Sequence, residues 1–159
     1  MMPIDRRVLM IGLGAAGLSL AACAKAQTSP GPYARNKAFL DANAKAAGVH
    51  VTASGLQYRI TRSGPPEGNH PKATDDVKVN YEGKLLDGTV FDSSYARGEP
   101  AVMPLADLVP GWIEALQLMR PGDEWTLWIP PELGYGENAN DSIPAASILI
   151  FRLELLSVG

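Results

Sequence analysis

Val77-Lys78-Val79-Asn80-Tyr81-Glu82-Gly83-Lys84-Leu85-Leu86-Asp87-Gly88-Thr89-Val90-Phe91 is the stretch that decides the fold. Val77, Val79 and Tyr81 alternate with Lys78, Asn80 and Glu82, the period-two pattern of a strand with one buried face. Asp87-Gly88 supplies the tight turn, because glycine and aspartate tolerate the positive φ angles that two-residue hairpin loops require. Thr89-Val90-Phe91 resumes a strand. The stretch therefore reads as a β-hairpin, and a hairpin commits the sheet to antiparallel pairing.

The same pattern continues on both sides. Upstream, Leu56, Tyr58 and Ile60 alternate with Gln57, Arg59 and Thr61, and residues 63–76 form a Gly/Pro-rich loop. Downstream, Trp125, Leu127 and Ile129 alternate before Pro130-Pro131, and Leu149, Phe151, Leu153 and Leu155 mark one face of a last strand over residues 147–158. Trp125 and Trp128 fall on opposite faces of their strand, so one is expected in the core and the other partly exposed. One convincing helix interrupts the strands, from Pro110 to Met119. Proline suits its first turn, Trp112, Ile113, Leu116 and Met119 form an apolar face, and Pro121-Gly122 ends it. Strands joined by hairpins and loops around a single helix predict an α+β domain over residues 49–159: an antiparallel sheet packed on one short helix. A second helix is expected over residues 33–48, Ala-rich with a thin apolar face, docking loosely and stopped by Gly48.

Composition narrows the function. The 159 residues carry 14 Lys+Arg against 17 Asp+Glu, a formal charge of −3, so the basic footprint of a nucleic-acid binder is missing. One cysteine precludes an internal disulfide, and with two histidines it argues against a His/Cys zinc site. No metal or cofactor is expected.

The first 22 residues read as an address. Arg6 and Arg7 precede an uncharged, mostly apolar run from Val8 to Ala22, shorter than the ~20 residues of a membrane span. Leu20-Ala21-Ala22-Cys23 resembles the lipobox of bacterial lipoproteins, in which the cysteine is acylated and the chain is cut before it. Thioether formation at Cys23 also accounts for the lone cysteine. Two other readings stand beside it: ordinary cleavage after Ala24-Lys25-Ala26, and a retained anchor. Residues 23–32, small, polar and Pro/Gly-containing, form a flexible tether. Gly12-Leu13-Gly14-Ala15-Ala16-Gly17 matches a dinucleotide-binding fingerprint, but no βαβ unit follows it, and small residues are what a signal segment contains.

Four segments concentrate aromatic and turn residues: Val79-Asn80-Tyr81-Glu82-Gly83, Val90-Phe91-Asp92-Ser93-Ser94, Val109-Pro110-Gly111-Trp112 and Leu133-Gly134-Tyr135-Gly136. Judged from periodicity alone, Phe91, Trp112 and Phe151 are core residues, Asp92 closes a turn, and Tyr135 is a loop aromatic. In this order and spacing the segments resemble the FKBP-type peptidyl-prolyl isomerases. Ser54-Gly55-Leu56-Gln57-Tyr58 resembles the bacterial branch that includes the macrophage infectivity potentiators.

The resemblance implies a five- to six-stranded antiparallel sheet wrapped over a short helix, with a shallow apolar pocket between them. It places Tyr81, Phe91, Asp92, Trp112, Tyr135 and Phe151 at the catalytic pocket and Arg97, Leu108, Val109 and Ile143 in substrate binding. Trp112 is then the floor, Tyr81, Phe91 and Phe151 are walls, and Asp92 and Tyr135 make polar contacts. It also implies Xaa-Pro segments of unfolded or exported proteins as substrates, and a monomer, since the long dimerisation region of some relatives is missing. The lipobox resemblance implies a lipid-anchored periplasmic location, and Ala24 after the cysteine resembles lipoproteins sent to an outer membrane. Ala101 stands where eukaryotic relatives carry an aromatic, and the acidic, Asn-rich loop 137–142 departs from the family pattern, which bears on substrate preference. Two competing functions remain: a binding or chaperone module of the same fold, and a hydrolase built on Asp92-Ser93-Ser94 with His50 or His70 as base.

Overall fold

Alternation sets the strand over residues 76–84, which carries pairing partners on both edges. The computed structural model describes Ser29 and residues 31–159. The leader, the lipobox with Cys23, the glycine-rich 12–17 run and most of the expected tether lie outside the described residues. In chain order the elements are α1 (Pro32–Asn43), β1 (Val49–Val51), β2 (Gln57–Arg62), β3 (Asp76–Lys84), β4 (Val90–Ser93), α2 (Ser94–Arg97), β5 (Ala101–Pro104), α3 (Pro110–Leu118), β6 (Glu124–Ile129) and β7 (Leu149–Val158), with short 3-10 turns at Leu105–Asp107 and Pro131–Leu133.

The sheet is antiparallel, in the order β1-β2-β6-β7-β3-β4, with β5 also pairing β3. It has seven strands, one more than the upper expectation. The extra strand is β5, four residues whose burial alternates too briefly to announce itself. β4 and β5 share one edge of β3: β4 takes its end, at Glu82–Lys84, and β5 its start, at Asp76–Val79. Between them the Tyr81 N–H has no strand to bond. The Ser94 hydroxyl accepts it instead, at 2.8 Å, from a side chain with no exposed surface.

One core lies between the sheet and α3. Val77, Val79 and Tyr81 of β3, Leu127 and Ile129 of β6 and Leu149, Phe151, Leu153 and Leu155 of β7 meet Trp112, Ala115, Leu116 and Met119 of the helix region. Ala115, not Ile113, completes the buried face of the helix, and Ile113 is half-buried. Gly111 makes the close approach possible, since a Cβ there would lie 2.7 Å from Ile129 Cγ2.

Several expectations need correction. α1 stops at Asn43, short of residue 48. The Lys45 and Ala46 N–H groups turn back to the carbonyls of Ala42 and Asn43, and Gly48, at φ 75°, reverses the chain into β1. The helix is held by polar contacts more than by an apolar face: Asn36 is its buried residue, and Gln57 Nε2 donates to the Leu40 carbonyl at 2.9 Å. Ile60 is 43% exposed, at the point where the β2–β6 register shifts. Trp125 and Trp128 are both buried: Trp125 belongs to the core and stacks on Tyr58 at 4.4 Å, and on the other face the Arg59 guanidinium lies over Trp128 at 5.7 Å from its ring centroid.

Gly83 packs closely against two of the pocket rings. A Cβ there would meet Phe91 Cζ at 2.6 Å and Phe151 Cε1 at 2.7 Å. Alanine ordinarily stabilises a strand position relative to glycine. Here Gly83→Ala is expected to lower unfolding free energy by ~1–3 kcal/mol through overpacking. Urea denaturation checks it, and a variant as stable as wild type contradicts this packing.

Candidate active site

The hairpin, the start of α3 and the final strand bring four aromatic rings to one end of the core. Trp112 enters from the first turn of α3. It meets Tyr81 edge-on at 5.1 Å and 82°, and Phe151 edge-on at 5.0 Å and 83°. Phe91 crosses Phe151 at 5.5 Å and 88°. Edge-to-face packing suits the ring quadrupoles, and it leaves ring faces and edges lining a hollow instead of filling it. That cavity has a volume of about 420 Å³.

Nine of the ten sequence-predicted pocket residues line it: Tyr81, Phe91, Asp92, Leu108, Val109, Trp112, Tyr135, Ile143 and Phe151. The tenth, Arg97, stands behind the wall. Its guanidinium lies 5.4 Å from the Tyr81 ring centroid, donates to Asp92 Oδ1 at 2.5 Å and donates to the Tyr81 hydroxyl oxygen at 2.9 Å. The Tyr81 hydroxyl in turn donates to Asp92 Oδ2 at 2.6 Å. The three side chains close a triangle that fixes the phenol and the carboxylate.

Local sequence explains why Arg97 arrives there. The Ser93 hydroxyl caps α2 by accepting from the Ala96 N–H at 3.2 Å, and Gly98, at φ 76°, ends the turn. The single turn between them carries Arg97 back over Asp92.

The triangle sets the charge states. Burial alone would raise the Asp92 pKa, but the Tyr81 hydroxyl and the Arg97 guanidinium outweigh it, and the carboxyl titrates below its ordinary value of 3.8. Burial, and then the bond to Asp92, pushes the Tyr81 phenol above its ordinary 10.0. At neutral pH the site therefore holds a carboxylate, a guanidinium and a neutral phenol.

Met103, Asp107, Asn140 and Ser142 also line the cavity and were not singled out from sequence. Met103 comes from the unforeseen β5. Asn140 and Ser142 come from the loop whose unusual composition was visible but whose fold was not. Within that loop Asn140 Oδ1 accepts from the N–H groups of Ser142 and Ile143, at 2.9 and 2.8 Å. Ile143 is thereby turned inward and buried. The Trp112 indole N–H is buried and has no hydrogen-bond partner among the described residues. Tyr135, 42% exposed, stands at the mouth.

The hydrolase reading fails on geometry. Ser94 is fully buried against β3 and Ser93 caps α2. His50 stacks on Tyr58, and His70 pairs with the Met119 carbonyl and Arg120, so neither histidine bonds to these serines. Among the described residues no cluster of three or more His, Cys, Asp or Glu is placed to hold a metal ion.

Comparison with known proteins agrees with this architecture. Residues 67–156 match the model of the FKBP-type peptidyl-prolyl cis-trans isomerase family, and residues 20–60 match the domain amino terminal to it. The chain is 56% identical over 121 residues to the FKBP-type 22 kDa peptidyl-prolyl cis-trans isomerase of Escherichia coli, covering 76% of this chain and 58% of that protein. It is 44% identical over 126 residues to the outer membrane protein MIP of Legionella longbeachae, covering 79% of this chain and 53% of that protein. It thus spans just over half the length of these two relatives. The crystal structure of FkpA from Escherichia coli superposes with a TM-score of 0.75 at 42% identity, covering 80% of this chain and 59% of that one. A peptidyl-prolyl cis-trans isomerase from Pseudomonas syringae superposes with a TM-score of 0.74 at 32% identity, covering 83% of this chain and 98% of that one. With the family model matching more than half its length, and with an aromatic pocket between sheet and helix, the chain belongs to the FKBP-type peptidyl-prolyl cis-trans isomerase family.

Proposed function

We propose that this protein catalyses cis-trans isomerisation of Xaa-Pro bonds in unfolded or exported proteins, with the proline ring seated on Trp112 between Tyr81, Phe91 and Phe151. The observation that carries this reading is the aromatic box around an open cavity of about 420 Å³, a size suited to a proline and its neighbours.

The chemistry asks for little else. The peptide bond resists rotation because twisting breaks amide resonance, a barrier of ~18–20 kcal/mol. The two prolyl isomers differ by only ~0.5–1 kcal/mol, so a catalyst need lower only the barrier. The planar amide is the more charge-separated form. An apolar surround therefore disfavours it relative to the twisted amide, and catalysis is the difference between the two. No nucleophile or group transfer is involved. Tyr135, at the mouth, donates a hydrogen bond to a substrate carbonyl and fixes the bound turn. Arg97 and Tyr81 hold the Asp92 carboxylate in place beside the rotating bond. Leu108, Val109 and Ile143 contact the residues flanking proline.

We further propose that Cys23 is lipidated after removal of residues 1–22, and that residues 23–32 tether a monomeric domain to the periplasmic side of the outer membrane. The lipobox-like Leu20-Ala21-Ala22-Cys23 supports this reading, as does the relative whose name is outer membrane protein MIP.

Three outcomes are expected. Trp112→Ala and Asp92→Val, measured on a short Xaa-Pro peptide, each lower kcat/KM about tenfold or more, equivalent to ~1.4 kcal/mol of transition-state stabilisation. Folded variants that retain wild-type turnover contradict the assignment. If turnover is lost in Trp112→Ala while protection of an unfolded client survives, the domain acts chiefly as a binding module.

The second outcome concerns pH. Asp92 is depressed and Tyr81 raised, so kcat/KM stays flat from about pH 5 to pH 9. The stabilisation Asp92 provides is complete above its unfolded value and is lost only as pH falls through its lower folded one. A rate that titrates near neutrality places the working group elsewhere.

In the third, metabolic labelling with palmitate marks the wild-type chain expressed in a Gram-negative host and fails to mark Cys23→Ala. Equal labelling of both, or of neither, overturns lipidation.

A further inference from the structure

We infer that Asn36, on the N-terminal helix, is a positioning residue that holds the loop over the active pocket. This inference rests on the reading of that pocket as the isomerase site. Asn36 is the one buried residue of α1, 8% exposed, and its Nδ2 donates to the Ala146 carbonyl at 2.6 Å across 110 residues of sequence. Ala146 is the only non-glycine among the described residues with a positive φ, at 55°. A β-carbon there costs energy that the surroundings must offset.

The Ala146 N–H donates to the Gly136 carbonyl at 2.8 Å, so the same residue closes the base of the loop. Residues 136–146 are pinned at that point. The loop carries Asn140, Ser142 and Ile143 into the cavity lining. Removing the Asn36 donor leaves the Ala146 carbonyl buried without that bond and leaves the left-handed turn without its brace. The loop then samples open states, and substrate loses its cover. The rotation step, carried by the aromatic box, is untouched.

The experiment compares wild type, Asn36→Ala, Asn36→Asp and Gln57→Ala in the full chain. Asn36→Asp keeps the shape and loses the donor. Gln57→Ala breaks the other polar contact of the helix without touching the loop. Amide hydrogen exchange over residues 136–147 and the KM–kcat split on an Xaa-Pro peptide are read together. Both Asn36 variants are expected to exchange about three- to tenfold faster in the loop and to raise KM by a similar factor, with kcat within about twofold, the scale of one lost buried hydrogen bond. Gln57→Ala is expected to lower thermal stability while leaving loop exchange and KM at wild-type values. Unchanged loop exchange in the Asn36 variants overturns the inference. So does faster exchange with unaltered KM, or an equal rise in KM for Gln57→Ala, which would assign the effect to helix docking in general. A wild-type chain without turnover counts against the isomerase reading alone, since loop exchange still decides whether Asn36 holds the loop.

Discussion

Trp112 lies where α3 meets the sheet, and its two edge-on contacts, with Tyr81 and Phe151, join three separate parts of the chain. Everything the site does follows from that crossing. The rings pack at steep angles, so they bury one another without closing the space between them. The same residues are the top of the core and the floor and walls of the pocket. Stability and binding therefore share side chains. Gly83 lets Phe91 and Phe151 approach, and Gly111 lets the helix close on Ile129: a Cβ at either would lie within 2.7 Å of a neighbour.

Behind this apolar centre Tyr81, Asp92 and Arg97 satisfy one another. Asp92 receives both the Tyr81 hydroxyl and the Arg97 guanidinium, and the short α2 turn exists in that place because Ser93 caps it and Ser94 completes the edge of β3. The outer face of the sheet is tied separately. Arg62 pairs with Glu124 and Glu154, Arg152 with Glu124, and Asn80 donates to Glu154. Asn80 adjoins Tyr81, so the strand that presents the phenol is held from both faces. A hollow lined by rings, with one oriented carboxylate and no mobile nucleophile, suits a reaction that rotates a bond and breaks none.

Much of this was legible in the sequence where the signal was strong and local. Alternation in residues 77–81 and the Asp87-Gly88 turn give the hairpin. Pro110, Trp112 and Leu116 give the helix. Four short segments carry six of the nine expected residues that line the cavity, and Leu108, Ile143 and Phe151 come from outside them. What was not legible depends on tertiary partners. β5 is too short to carry a period. The end of α1 is decided by turn bonds and by Asn43 bonding Gln57, not by helix propensity. Ile60 reads as a core residue from alternation but lies at the register shift and faces solvent, and Trp128 is covered by Arg59, a partner on another strand. Arg97 lies near the pocket in sequence, but its work is to hold Asp92. The contact from Asn36 to Ala146 spans 110 residues and no local pattern announces it.

In the proposed reaction proline enters the aromatic box and its bond rotates there. Exchange spectroscopy by NMR on an Xaa-Pro peptide, with the tryptophan indoles of the protein labelled, tests it most directly. Cis-trans exchange cross-peaks are expected only with protein present, together with a shift of the Trp112 indole and unmoved Trp125 and Trp128 resonances. Exchange no faster than for free peptide, or accelerated exchange with Trp112 unperturbed, would contradict it.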